Sequence, residues 1–250
     1  WIEESLFASS PRLILTPQVE YTIWNKLDSD DTVIAMGLEL LRHNAESMLE
    51  MEALTRIQTG RRLLGVSREA IRRLTTLALI YRLEREQPYL DRLEQELKAV
   101  CSFSDWNPSH FLDVGEMAAG VALALDWAGE WISPEVEQEA RYALINKALR
   151  PGLLASNNNA WINAQHNWNL VCHGGLSLAA LTVFEDEPEL ATAILRQAVE
   201  KIPLALKPYA PEGIYPEGSS YWFYATTYLR LTLSAFESAL GSDFGFSDSP

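Results

Sequence analysis

Apolar side chains recur at steps of three and four along much of this chain, in blocks separated by proline, glycine and amide-rich stretches. In REAIRRLTTLALIYRLER (68–85), Ile71, Leu74, Leu77, Ala78 and Tyr81 fall on one face and Ser67 stands where a cap is needed, which predicts a helix. YLDRLEQELKAV repeats the rhythm at Leu90, Leu93, Leu97 and Val100. Gln87-Pro88 breaks the two runs, so the pair is expected to form a helical hairpin. DVGEMAAGVALALDWAGEW (113–131) is apolar nearly all round, as suits a helix enclosed by neighbours. Ser133-Pro134 opens a further helix, with serine at the cap and proline at the first helical position. Helical patterns also cover 166–180, 189–206 and 219–240, while the Val/Ile/Thr alternation of strands is scarce. The expected fold is all-α.

These hairpins recur at roughly 40 to 50 residues, a period shared by α-solenoids and by closed toroids of helix pairs. No self-similar consensus accompanies them. The connections CSFSDWNPSHFLD, GLLASNNNAWINAQHNWN and YAPEGIYPEGSS are long and rich in aromatics and amides, unlike the tight turns of repeat arrays. Long decorated loops on one side predict a binding cleft there.

Composition narrows the function. With 250 residues, 48% of them hydrophobic, the chain can bury a core in one or two domains. Twenty Lys and Arg against 34 Asp and Glu give a formal charge of −14, which argues against a general nucleic-acid or anionic-membrane surface. A polyanionic ligand would have to be drawn by a local cleft. Cys101 and Cys172 lie too far apart for a disulfide framework or a metal-finger spacing. No apolar run approaches the roughly 20 residues of a membrane span, and no signal peptide is recognisable. Trp1 in place of an initiator Met, and the loop-like tail GSDFGFSDSP, lead to the expectation of a processed chain or a piece of a longer one.

Three stretches carry chemistry. In HNWNLVCHGG (166–175), helical phase puts His166, Asn169 and His173 on one stripe, and the glycine pair permits close approach by a backbone or a ligand. A hydrogen-bonded network tying a core helix to its loops is the plainer reading. Cys172 and His173 are no nucleophile and base, because neighbouring helix residues point about 100° apart. In YPEGSSYWFYATTYLRL, Tyr221, Tyr224 and Tyr228 form a phenol stripe behind a turn at Pro216–Ser219, although such stripes usually pack in a core. In WNPSHFLDVGEM, His110, Asp113 and Glu116 surround a predicted helix start, where Asp113 would complement the helix dipole. The acidic DSDD (28–31) reads as a solvated turn rather than a cation site.

Amides, histidines and phenols together suit β-elimination on a uronic-acid sugar. The proton at C5 lies α to a carboxylate, so Asn, His or Arg must neutralise that carboxylate to stabilise an enolate-like intermediate. A base then removes the proton and an acid protonates the departing glycosidic oxygen, work for Tyr and His.

SPRLILTP, DWNPSHFLDVGEMAAGVALALDW, RPGLL, HNWNLVCHGG and YAPEGIYPEGSSYWFYATTYL, spanning most of 10–248, also resemble the helical N-terminal part of the heparinase II/III-like polysaccharide lyases, alginate and oligoalginate lyases included. The resemblance implies one incomplete (α/α) toroid of helical hairpins over 1–250, with no cofactor. A C-terminal β-sandwich, absent from this sequence, would close the cleft and supply a further histidine and often a structural metal. Residue by residue, it implies that His173 handles the substrate carboxylate or acts as base, with Asn169 beside it in the NWN element. The catalytic tyrosine is expected in the YWFYATTY helix, as Tyr228 by its separation of 55 residues from His173, or as Tyr224 by its local motif. His166, Asn167, Trp168, Tyr221, Glu217, His110 and Arg68 are the expected substrate contacts. The implied partner is an acidic polysaccharide or oligosaccharide, neither nucleic acid nor membrane, and the implied location is periplasmic or secreted.

Two alternatives stay open on the sequence. A glycoside hydrolase on the same toroid needs two carboxylates about 5 to 9.5 Å apart, for which Glu116 and Glu217 are the best available pair. A non-catalytic carbohydrate-binding domain, or a lyase lacking its partner domain, would bind sugar without turnover.

Overall fold

The structure, a computed structural model, describes residues 5–6, 10–154 and 159–248. Trp1, the last two residues of the tail and the 155–158 part of the GLLASNNNA loop lie outside these described residues. Among the described residues the regular elements are helical and the one bridge is an isolated antiparallel pair, Thr59 with Arg62. The helices are α1 (Pro17–Asp28), α2 (Thr32–Leu49), α3 (Leu64–Glu84), α4 (Gln87–Ser102), α5 (Leu112–Ala128) and α6 (Pro134–Ala143). A π-helical turn, Leu144–Leu149, then leads into α7 (Arg150–Leu153), followed by α8 (Asn167–Thr182), α9 (Pro188–Leu206) and α10 (Ser219–Leu240). No helix among them is long and apolar enough to cross a membrane.

From α3 onward the helices follow the hydrophobic rhythm, although α3 begins at Leu64 and buries Ser67, the expected cap, inside the helix; α1 and α2 were not predicted. In α1 the apolar residues mark no buried face, since it buries no side chain; α2 packs Leu38, Leu41, Ala45 and Met48 on the core, but Val33, Met36 and Leu40 are exposed and blur that stripe. Local capping marks the start of both helices. Thr16 accepts a hydrogen bond from the Val19 amide ahead of Pro17, and Asp31 accepts from the Val33 and Ile34 amides. The acidic DSDD stretch is thus the turn between them, with Lys26 Nζ 3.1 Å from Asp31 Oδ2.

Alternate helices pack side by side and run parallel, as their cross-contacts show. Between α3 and α5, Arg68 meets Glu116 near the start, and Arg82 donates to the Trp127 carbonyl (2.8 Å) near the end. Between α5 and α8, the rings of His110 and Trp168 lie 4.8 Å apart just ahead of and at the helix starts. Thr182 Oγ1 donates to the Ala122 carbonyl farther along. Between α8 and α10, Asn167 donates to Glu217, and Gly174 lies against Tyr228 and Thr232. The helices α4 and α9 return the chain between these parallel members. α5 sits centrally and is buried from Leu112 to Asp126, which fulfils its all-round apolar pattern. The hairpin of α3 and α4 is pinned by buried charges: Arg73 and Arg92 both donate to Glu96.

The C-terminal ends of the parallel helices share a floor. The extended segment 10–15 crosses them, and Asp126 of α5 accepts from the backbone amides of Arg12 (3.1 Å) and Leu13 (2.8 Å). Trp127 Nε1 donates to the Leu13 carbonyl, the Ile14 amide donates to Ser238 Oγ of α10, and Arg12 pairs with Glu185 beyond α8. Asp126→Ala would strand the two buried amides of Arg12 and Leu13. Chemical denaturation is expected to show a loss of about 3 kcal/mol. A loss below about 1 kcal/mol would mean that the strap contributes little to the fold.

Candidate functional site

With the floor closed, the N-terminal ends of α3, α5, α8 and α10 gather at the opposite end. Each brings the positive pole of its dipole, and side chains at this end take up starting amides: Asp113 accepts from Leu63, His166 from Trp168 and Glu217 from Asn167. Glycine lets the helices come this close. A Cβ on Gly175 would stand 1.9 Å from the Gly115 carbonyl oxygen, and one on Gly174 would stand 2.6 Å from Thr232 Oγ1. The glycine pair of HNWNLVCHGG therefore seats α8 between α5 and α10.

At this end one cluster joins three helices. Glu116 of α5 is 2% exposed, in a helix whose other charged residues are Asp113 and Asp126 near its two ends. The Tyr224 hydroxyl of α10 donates to Glu116 Oε1, and Arg68 Nε of α3 donates to the same oxygen at 3.2 Å. The Arg68 guanidinium lies 5.1 Å over the Tyr224 ring, and Tyr228 meets that ring edge to face at 5.6 Å. Arg68 keeps 54% of its side chain exposed, so it is the cation that reaches solvent from this cluster. Burial raises the Glu116 carboxyl above its ordinary value, against the opposing Tyr224 hydrogen bond and Arg68 charge. Burial, and then the Glu116 charge, push the phenols of Tyr224 and Tyr228 upward, so both are proton donors at neutral pH.

The α8 stripe faces elsewhere. His166 is the exposed N-cap and lies outside the helix, where its Nδ1 accepts from the Trp168 amide at 3.4 Å. Asn169 and His173 are fully buried beneath the turn 159–163: Asn169 Nδ2 donates to the Ile162 and Lys201 carbonyls, and His173 Nε2 lies 3.2 Å from the Ile162 carbonyl oxygen. Trp161 covers the His173 ring at 4.8 Å and stacks on Phe111. Burial holds the His173 imidazole down at about 4, so it is neutral at physiological pH. Its 15N shifts are expected to report a neutral ring down to pH 5, and protonation above pH 6 would show the site to be wetter than its burial implies. Because the folded value lies below the ordinary 6.5, the fold loses stability as pH falls from 6.5 toward 4.

The remaining expected contacts divide between the surface and the interior. Tyr221 is 50% exposed on the outer turn of α10, and Trp222 and Phe223 beside it are also exposed. Asn167, buried, donates from Nδ2 to the exposed Glu217 at 2.9 Å. Trp168 is half-buried. His110 is buried in a knot where Asp113 accepts from the Leu63 amide and from Asn107 and lies 2.7 Å from His110 Nδ1. The structure thus brings Arg68, Glu116, Tyr224 and Tyr228 together. Among the described residues, no hydrogen bond or ring contact ties them to His173 or Asn169. Glu116 and Glu217 engage different partners, Tyr224 with Arg68 in one case and Asn167 in the other.

No family model matches the chain, and no curated protein does.

The hub role of Glu116 was not read from the sequence, yet a signal was there. A buried carboxylate in a largely apolar helix has to find a donor or a cation, and Arg68 and the stripe tyrosines were available. Among the described residues no group of three or more His, Cys, Asp or Glu is arranged to hold a metal. The Cys172 thiol is driven well above its usual range by burial, which makes it an inert core group.

Proposed function

We propose that this chain is a polysaccharide lyase domain that cleaves uronic-acid-containing polysaccharides or oligosaccharides by β-elimination. The observation that carries this reading is the Tyr224 hydroxyl held between Glu116 and Arg68 where the parallel helices begin. The resemblance of HNWNLVCHGG and YPEGSSYWFYATTY to the heparinase II/III-like lyases supports it, as does the row of parallel helices joined through outer ones, which we take as an open (α/α) toroid.

In this reading the exposed Arg68 and the helix starts receive the uronate carboxylate and stabilise the enolate-like intermediate. Tyr224 exchanges protons with C5 and with the glycosidic oxygen. Tyr221, His166, Asn167, Trp168 and Glu217 line the approach of the sugar, while Asn169, His173 and His110 hold the wall behind it. A C-terminal β-sandwich following this domain, and a periplasmic or secreted location, belong to the same reading.

The test is ultraviolet absorbance during incubation with alginate, heparan, chondroitin and hyaluronan oligosaccharides. New C4–C5 double bonds are expected to raise the absorbance with at least one of them. Flat traces with all four would overturn the reading.

A further inference from the structure

The Tyr224 phenol poses a problem that its surroundings answer. A base must hold a free lone pair, and a tyrosine whose ionisation is pushed upward by burial and by a neighbouring carboxylate is almost never ionised at neutral pH. Its proton, however, already points at Glu116. The other carboxylate near by, Asp113, is committed to the Leu63 amide, Asn107 and His110. We propose that Glu116 is the proton store behind Tyr224, taking the phenolic proton when Tyr224 abstracts from the sugar and returning it when Tyr224 protonates the leaving group.

The step rests on the elimination reading above, and its atoms balance. As the C5–H bond breaks, its electron pair stays on the sugar as the enolate, the proton goes to the Tyr224 oxygen, and the phenolic proton moves to the Glu116 carboxylate. As the C4–O bond breaks, Tyr224 gives a proton to the departing glycosidic oxygen and Glu116 returns its own to Tyr224. The sugar gains a C4–C5 double bond, and both side chains end as they began. Neither oxidant nor metal enters.

Each neighbour of Glu116 suits this exchange. Arg68 of α3 keeps the carboxylate charged in the resting state through the Nε contact at 3.2 Å. Burial raises its proton affinity toward what a temporary acceptor needs. Tyr228 of α10 lies edge-on to Tyr224 and is neutral, Cys172 of α8 is a protonated thiol, and the Asp113 charge on α5 adds to the proton affinity of Glu116. Glu116 therefore acts through Tyr224 rather than on the sugar.

The experiment is the pH dependence of kcat and KM for the full chain, Glu116→Gln and Glu116→Asp, on the oligosaccharide that the wild type cleaves, with circular dichroism to check folding. Wild-type kcat is expected to be nearly flat from about pH 6 to 8, because Glu116 supplies the acceptor throughout. With glutamine there, Tyr224 must ionise unaided. At pH 7 kcat is expected to fall about 100-fold with KM within about twofold, and then to climb about tenfold per pH unit toward the alkaline limit. Should glutamine not fold, the aspartate variant decides, since a carboxylate one methylene shorter keeps the flat profile at a lower kcat. A flat glutamine profile, or an unchanged kcat in the aspartate variant, overturns the proton store while the lyase reading stands. A wild type inert on every uronate removes both, and is distinguished by the loss lying in the parent chain rather than in the variants.

Discussion

Phenylalanine in place of Tyr224 is expected to lower kcat for uronate cleavage about 1,000-fold and to leave the fold in place. The three stripe tyrosines grade from outside to inside: Tyr221 is 50% exposed, Tyr224 is half-buried and Tyr228 is 5% exposed. Tyr224 is the intermediate one, and its hydroxyl donates to Glu116 beneath the Arg68 guanidinium. Losing the hydroxyl removes the proton carrier but keeps the ring that packs between Arg68 and Tyr228. Ligand affinity should therefore change little, while the buried Glu116, left with Arg68 as donor, is expected to cost the fold about 1 kcal/mol. Tyr228→Phe is the comparison. Its ring supports Tyr224 from behind, so a loss of about tenfold or less is expected. The reverse ranking, a silent Tyr224→Phe beside an inactive Tyr228→Phe, would move the proton transfer one turn inward.

The largest stability effect is expected from Gly175→Ala. A methyl group there would sit 1.9 Å from the Gly115 carbonyl oxygen and 2.6 Å from its carbonyl carbon. Both are backbone atoms of a buried helix and cannot rotate away. α5 and α8 would have to separate along the line where they are packed most closely, at a cost of about 3 kcal/mol or more. For a chain of this size that is a fall of about 6 to 12 °C in Tm, read by calorimetry. Gly174→Ala tests the argument from next door. Its methyl group meets Thr232 Oγ1 at 2.6 Å, a hydroxyl that can turn, so about 1 kcal/mol is expected. Equal losses in the two variants would mean that α8 shifts freely between its neighbours.

The helices from α3 onward were legible because burial and spacing coincide in them. Leu74, Leu77, Leu93 and Leu97 are all fully buried, and their recurrence is the rhythm that predicts α3 and α4. α1 was illegible because its apolar Tyr21 faces outward, and α2 because exposed Val33 and Met36 obscure the core-facing stripe of Leu38, Leu41, Ala45 and Met48. The phenol stripe was legible as a stripe, because three tyrosines at helical spacing must share a face. Its partner was not, because the Tyr224–Glu116 contact joins residues 108 apart in the chain and no local pattern encodes it. His166, Asn169 and His173 illustrate a different limit. Periodicity puts them in line, but the structure makes His166 a cap outside the helix and closes Trp161 and Ile162 over the other two. Phase along a helix says which residues share a side. It does not say what covers that side.

The strap across the floor sets an order of events during synthesis. Residues 10–15 leave the ribosome long before the partners they bind, Asp126, Glu185 and Ser238, the last of them 224 positions downstream of its partner Ile14. At about 5 to 20 residues per second, this segment waits roughly 10 to 50 s before its final partner exists. During that interval the hairpin of α3 and α4, whose contacts are local, can form while the lower ends of the parallel helices stand uncovered. A segment made early is thus among the last to be placed.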